Sequence, residues 1–132
     1  MTSDGAAPRP LILLVEDNET IRGAFTILLE ESGYRVAGAA CGLEAVQLAA
    51  SAAPALILLD LGLPDIGGLE VTRRLKRDPA TAAIPIVALT GRSLETDQQA
   101  CLAAGCAAYF AKPVNSAELL QRLPELVLPV GS

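Results

Sequence analysis

An α/β fold built on a parallel sheet, five βα units in succession, is predicted by three features of this sequence. Apolar runs of strand length recur at Leu11–Val15, Val36–Ala39, Leu56–Leu59, Ile84–Leu89 and Ala107–Ala111. Between them lie segments whose apolar residues fall at helical spacing, which is the alternation of a parallel sheet. The first, third and fourth runs are almost continuously hydrophobic, as central strands covered by helices on both faces must be.

The helices follow from periodicity and punctuation. After the first run, Ile21, Ala24, Phe25, Leu28 and Leu29 form a stripe expected to face inward, and Gly33 supplies the stop. The second helix is expected over about Gly42–Ser51, with Leu43, Val46 and Ala50 inward and Pro54 beyond its end. The third starts near Gly68 and runs through Leu69, Thr72 and Leu75 to about Lys76. Residues 78–83 then form a loop, because Pro79 disfavours helix at the residue before it. A fourth helix runs from Ser93 to Ala104 and ends at Gly105, a residue suited to a left-handed cap. The fifth opens with Asn115 and Glu118 at capping-box spacing and turns Leu119, Leu120 and Leu123 inward; Pro124 should kink it or end it early.

With 132 residues there is room for one such domain. Residues 10–128 are assigned to it, with 1–9 as a flexible leader and 129–132 as a short tail. Apolar residues make up 52% of the chain, and 10 Lys and Arg stand against 15 Asp and Glu for a net charge of −5. A nucleic-acid partner would need a basic face, so none is expected. No apolar stretch approaches the roughly 20 residues that span a bilayer, and the first ten residues have no signal-like apolar region. The expectation is no membrane association and a cytoplasmic location. Cys41, Cys101 and Cys106 are an odd count, and the chain has no His, so mixed Cys/His zinc sets are excluded and the thiols read as reduced and mostly buried.

Four of the five apolar runs end in a polar residue: Glu16 and Asp17 after the first, Asp60 after the third, Thr90 after the fourth, Lys112 after the fifth. Ligands of a parallel α/β sheet bind outside the carboxyl ends of the strands, where these five side chains would converge. Three carboxylates in one cleft repel one another unless a cation is supplied. Mg²⁺ suits them, because it takes oxygen ligands, keeps several waters and leaves a position for a phosphate oxygen. A carboxylate nucleophile, a metal and Lys112 together describe formation of an acyl phosphate, with Thr90 as a hydroxyl donor. Taken singly, each residue has a plainer use. Asp60 could cap a helix or make a turn, Asp17 could cap the first helix, Lys112 could be a surface lysine, and Tyr109 could be half-buried packing.

The ordered set Glu16–Asp17, Asp60, Thr90 and Lys112–Pro113, carried in "LILLVEDN", "LILLDLGLPDIGGLEVTRRLK", "IPIVALTG" and "GCAAYFAKP", resembles the receiver domain of bacterial two-component systems. It is also similar to the stand-alone regulators of alphaproteobacterial cell division, and receivers at the ends of hybrid kinases share many of its features. The resemblance implies a flavodoxin-like, doubly wound, five-stranded parallel sheet of order 2-1-3-4-5. It implies Asp60 as phosphoacceptor, with Mg²⁺ held by Asp17 and Asp60 directly, by Glu16 through water and by the backbone carbonyl of Gly62. Lys112 would neutralise the phosphoryl group, with a cis bond to Pro113, and Thr90 and Tyr109 would form the switch pair. Implied partners are a sensor histidine kinase or histidine phosphotransfer protein as phosphodonor, and a downstream protein met through the face of the fourth helix, fifth strand and fifth helix.

The family often has a larger polar residue where Gly62 stands, Ala where Gly91 stands and Met where Leu63 stands; Arg92 occupies a position that tends to tune phosphoryl lifetime. Two readings from other classes compete. A phosphatase with an aspartyl intermediate would want a second acid two residues after the nucleophile, where the chain has Gly62. A phosphate-independent scaffold would not need the complete acidic set.

Overall fold

The computed structural model describes residues 9–91 and 95–128. Five strands, β1 (Leu11–Val15), β2 (Arg35–Ala39), β3 (Leu56–Asp60), β4 (Ile86–Thr90) and β5 (Ala108–Ala111), alternate with five helices: α1 (Glu19–Glu31), α2 (Gly42–Ala52), α3 (Gly68–Arg77), α4 (Glu95–Ala104) and α5 (Ser116–Leu126). All strand pairs are parallel, in the order β2-β1-β3-β4-β5. The expected leader, apart from Arg9, the tail, Arg92 and the expected helix start at Ser93 lie outside the described residues.

Successive side chains of a strand point to opposite faces, so a strand covered on both sides must be apolar throughout. Ile12 and Leu14 of β1 join Leu56 and Leu58 of β3 in one core layer, closed by Leu29 of α1 and Leu119 and Leu123 of α5. Leu13, Val15, Ile57 and Leu59 face the other way and are covered by Ala45 and Ala49 of α2, Val71 and Leu75 of α3 and Cys101 of α4.

Several boundaries and faces differ from the sequence reading. β4 begins at Ile86, because Ile84 N–H closes a turn on Thr81 O (3.0 Å) and Pro85 has no N–H to give the ladder. On α1 the inward side is narrower than the stripe: Ile21 and Ala24 are exposed, and Leu29 with the partly buried Phe25 makes the core contact. On α2 the buried residues are Gly42, Ala45 and Ala49, while Leu43 is 49% exposed and Ala50 is exposed. Small residues let this helix approach α3 closely. A Cβ built on Gly42 would come within 2.5 Å of Ile66 Cγ1 and 2.8 Å of Val71 Cγ2.

Pro124 does not end α5, which continues to Leu126 and closes with Val127 N–H on Leu123 O (2.9 Å). The proline deletes one bond, that to Leu120 O, and the buried seam of Leu119 and Leu123 holds the remainder. The expected stops after α1 and α4 are present, Gly33 at φ +101° and Gly105 at φ +112°, conformations that other residues adopt at a cost. Residues 78–83 are a turn-rich loop, tied to α3 by Thr81 Oγ1–H to Leu75 O at 2.7 Å. Cys101 and Cys106 are buried and Cys41 is half-buried, all three free of disulfides.

Candidate functional site

Parallel pairing brings the strand ends into line: Val15 opposite Leu59, Asp60 opposite Leu89 and Thr90 opposite Ala111. From β1 the chain goes outward to β2 on one side and to β3 on the other. The switch point of the sheet is therefore between β1 and β3, beside Glu16, Asp17 and Asp60.

Carboxylate oxygens from Glu16, Asp17 and Asp60 lie within 4.8 Å of one another. Glu16 and Asp60 are buried, at 3% and 5% exposure, whereas Asp17 is open to solvent. Lys112 Nζ stands 3.1 Å from Asp60 Oδ2 and 3.5 Å from Glu16 Oε1. The second oxygen of Asp60 accepts the Gly62 N–H at 3.0 Å, so Asp60, the last residue of β3, makes a turn of the kind common where a strand ends and presents a carboxylate as well. Glu16 Oε2 accepts the Asn18 N–H at 3.1 Å. Asn18, rather than Asp17, caps α1, through Oδ1 to Ile21 N–H at 3.0 Å. Asp17 is thereby left for other work.

Burial first, and then the neighbouring Asp60 charge, push the Glu16 carboxyl above its ordinary range, against the lowering by Asn18 N–H and Lys112. Partial burial disfavours the Lys112 ammonium, but its bonds and charge contacts with Asp60 and Glu16 win and hold its pKa above the usual lysine value. A second cation is thus the natural complement of the trio, and the donors are all hard oxygens, as Mg²⁺ or Ca²⁺ requires. Nothing crowds the site from Gly62, where a Cβ would meet only Asp60 Oδ1 at 3.6 Å.

An open cleft of about 560 Å³ reaches Asp60 and is lined by Leu61, Gly62, Gly67, Gly68, Leu69, Thr90, Gly91 and Lys112. Thr90 is 5% exposed and shares this cleft with the carboxylate. Lys112 N–H donates to Thr90 O at 2.7 Å, joining the ends of β4 and β5, and the Lys112–Pro113 bond is cis. Tyr109 lies outside this cleft. It is half-buried on β5 and lines a groove of about 610 Å³ on the α4–β5–α5 side, with Gln98, Leu102, Phe110 and Arg122 among its neighbours.

Two residues given no part in the site by the sequence help build it. Gly68, expected only to start the third helix, packs so closely that a Cβ would stand 2.6 Å from Leu61 Cα. Asp65, in the loop after Asp60, accepts the backbone N–H groups of Gly42 (2.8 Å) and Leu43 (2.9 Å), and so caps α2 from a distance. Those two N–H bonds lower its pKa from 3.8 to about 2. A depressed folded-state pKa stabilises above the ordinary Asp value and is lost as pH falls through about 2. Between about pH 4 and pH 2, Asp65→Ala should therefore lose less stability than the native chain, as read by urea midpoints across that range. Parallel curves would show that the carboxylate adds nothing to folding.

The profile of the family described as response regulator receiver domain matches residues 12–124. The polar-differentiation response regulator DivK of Brucella ovis is 38% identical over 112 residues, covering 85% of this chain and 91% of that protein. The receiver domain of the sensor histidine kinase PA1611 from Pseudomonas aeruginosa, solved with a magnesium ion coordinated in the active site cleft, superimposes with a TM-score of 0.83 at 37% identity, covering 90% of this chain and 98% of that one. The chemotaxis response regulator CheY4 of Vibrio cholerae gives a TM-score of 0.85 at 28% identity, covering 91% and 100%.

Proposed function

This chain belongs to the response regulator receiver domains, the phosphorylation-dependent switches of two-component signalling, and we propose that its phosphoacceptor is Asp60, with Mg²⁺ held beside it by Asp17 and by Glu16 through water. The observation that carries this reading is a buried carboxylate, gripped by Gly62 N–H and Lys112, that shares a site with two further carboxylates. Gly62 would add its backbone carbonyl to the metal shell.

A bound Mg²⁺ supplies positive charge against the trio and against the oxygens of the incoming phosphoryl group. The chain does the rest. An Asp60 oxygen attacks phosphorus of a phosphohistidine on the donor protein, the P–N bond breaks, and its electron pair leaves with the imidazole ring. Lys112, paired with Asp60 at rest, moves its charge to a phosphoryl oxygen. Thr90 donates its hydroxyl to another, and Tyr109 turns inward behind it. The donor is a sensor histidine kinase or a histidine phosphotransfer protein. Hydrolysis of the acyl phosphate, assisted by the same site, resets the switch.

The signal leaves through the α4–β5–α5 face, where the groove beside Tyr109 and the exposed Leu102 offer an apolar contact to a downstream protein. Among the described residues no helix is long and apolar enough to cross a membrane. The receiver unit is taken as residues 10–128. The phosphatase reading fails to gain support, because Gly62 stands where its second acid would be needed.

Incubation with acetyl phosphate and Mg²⁺, followed by intact-mass spectrometry, is expected to add one phosphoryl group, and EDTA is expected to prevent it. A chain that gains no mass and also fails to bind beryllofluoride would overturn the proposal.

A further inference from the structure

We infer that Arg22 is a positioning residue for the acidic pair, acting through the Glu16 backbone rather than on the phosphoryl group; this rests on the metal role proposed above for Glu16 and Asp17. Where β1 ends, Glu16 N–H still makes a strand-like bond, to Ala39 O at 3.0 Å. The Glu16 carbonyl instead accepts Arg22 Nη1–H at 2.7 Å, a charge-assisted bond reaching back from the first turns of α1. The strand therefore leaves the sheet at this peptide with its carbonyl still held, and the next residue, Asp17, is turned out of the sheet beside Asp60.

Two neighbours fit this role. Gly38 of β2 lies under the arginine stem, where a Cβ would come within 3.3 Å of Arg22 Cδ, so the absence of a side chain there gives the stem its path. Arg22 N–H donates to Asn18 O at 2.9 Å while Asn18 N–H donates to Glu16 Oε2 at 3.1 Å. Residues 16, 18 and 22 are consequently linked through both the backbone and the side chain of Glu16. Groups that orient metal ligands in this way typically cost about 10–100-fold in metal affinity when removed.

Charge alone makes the opposite prediction. Deleting a cation near three carboxylates should tighten binding of a dication, whereas deleting a positioning bond should weaken it. The test is Mg²⁺ titration of the unphosphorylated chain, followed by NMR of backbone amides, for the native protein, Arg22→Gln and Arg22→Lys. Native binding is the control for the metal site itself; its absence would refute the proposed function, not this inference. The expected result is binding weakened about tenfold in both variants, with urea midpoints close to native and a phosphorylation rate restored at saturating Mg²⁺. Lysine keeps the charge, but its ammonium ends about one bond short of the arginine Nη1 that reaches Glu16 O, so it should not rescue. Unchanged or tighter binding in Arg22→Gln, or full rescue by Arg22→Lys, would overturn the inference, as would a loss of affinity matched by general loss of stability.

Discussion

Asp60→Asn is expected to abolish phosphorylation by acetyl phosphate while leaving the chain as stable as before. The amide has the size and shape of the carboxylate, so the turn made by Gly62 N–H on Oδ1 survives. Its carbonyl oxygen carries no formal charge and attacks phosphorus poorly, which removes the nucleophile without disturbing the surroundings. Breaking a buried ion pair by removing one partner is ordinarily costly, because the other charge is left without a counterpart. Here Lys112 keeps Glu16 at 3.5 Å and is itself one-third exposed. The substitution also removes a repulsion, since Asp60 is one of the causes, after burial, that raise the Glu16 pKa. Opposing changes of this kind should leave the net shift in stability within about 1 kcal/mol. Intact mass and urea unfolding on the same sample decide both halves. A persistent adduct would transfer the acceptor role to Glu16 or Asp17, and a large destabilisation would mean that the Lys112–Asp60 pair contributes more to folding than to readiness for transfer.

Much of this site is legible because it is assembled from strand ends. Continuous apolar runs in β1, β3 and β4 followed at once by acids or a hydroxyl are a local pattern, and the parallel arrangement converts it into a cluster. The strand order is another matter. Pairing of β1 with β3 rather than with β2 alone depends on contacts far apart in the chain, and only the family resemblance pointed to it.

What escaped the sequence reading depends on contacts between distant segments or on the absence of a side chain. Asp65 meets α2 across more than twenty residues, and nothing in its neighbours announces a cap. The inward face of α2 is built from Gly42, Ala45 and Ala49, whereas a stripe drawn at helical spacing from the large Leu43 takes in Val46 and Ala50. Small residues bury little area, but they set how near two helices can come. Arg22 shows the same limit from the polar side: a lone arginine in an amphipathic helix reads as a solvated surface charge, and its partner is a backbone carbonyl, which carries no sequence signature.

Gly68 provides the second large expected effect, and its neighbour Gly67 the comparison. Alanine is the better helix former by roughly 1 kcal/mol, so propensity alone predicts that Gly68→Ala at the first residue of α3 stabilises the chain. Packing reverses the sign. The added Cβ would stand 2.6 Å from Leu61 Cα, 2.7 Å from Leu61 Cδ2 and 2.9 Å from Asp60 O, and two of those three atoms are backbone that cannot rotate away. Overpacking of this kind typically costs about 1–3 kcal/mol, enough to outweigh the helical gain. The strain would also be relieved in a damaging direction, because moving Leu61 moves the residue that follows Asp60 and disturbs the bond from Gly62 N–H. Gly68→Ala should therefore lower the urea midpoint and slow phosphorylation together. At Gly67 an added Cβ meets nothing within 4 Å, and its φ of −62° suits any residue. Gly67→Ala should change stability by only a few tenths of a kcal/mol, since lost N-cap quality is offset by a less flexible unfolded chain. Equal effects at the two positions would show that the β3–α3 turn gives way easily and does not hold Asp60 in place.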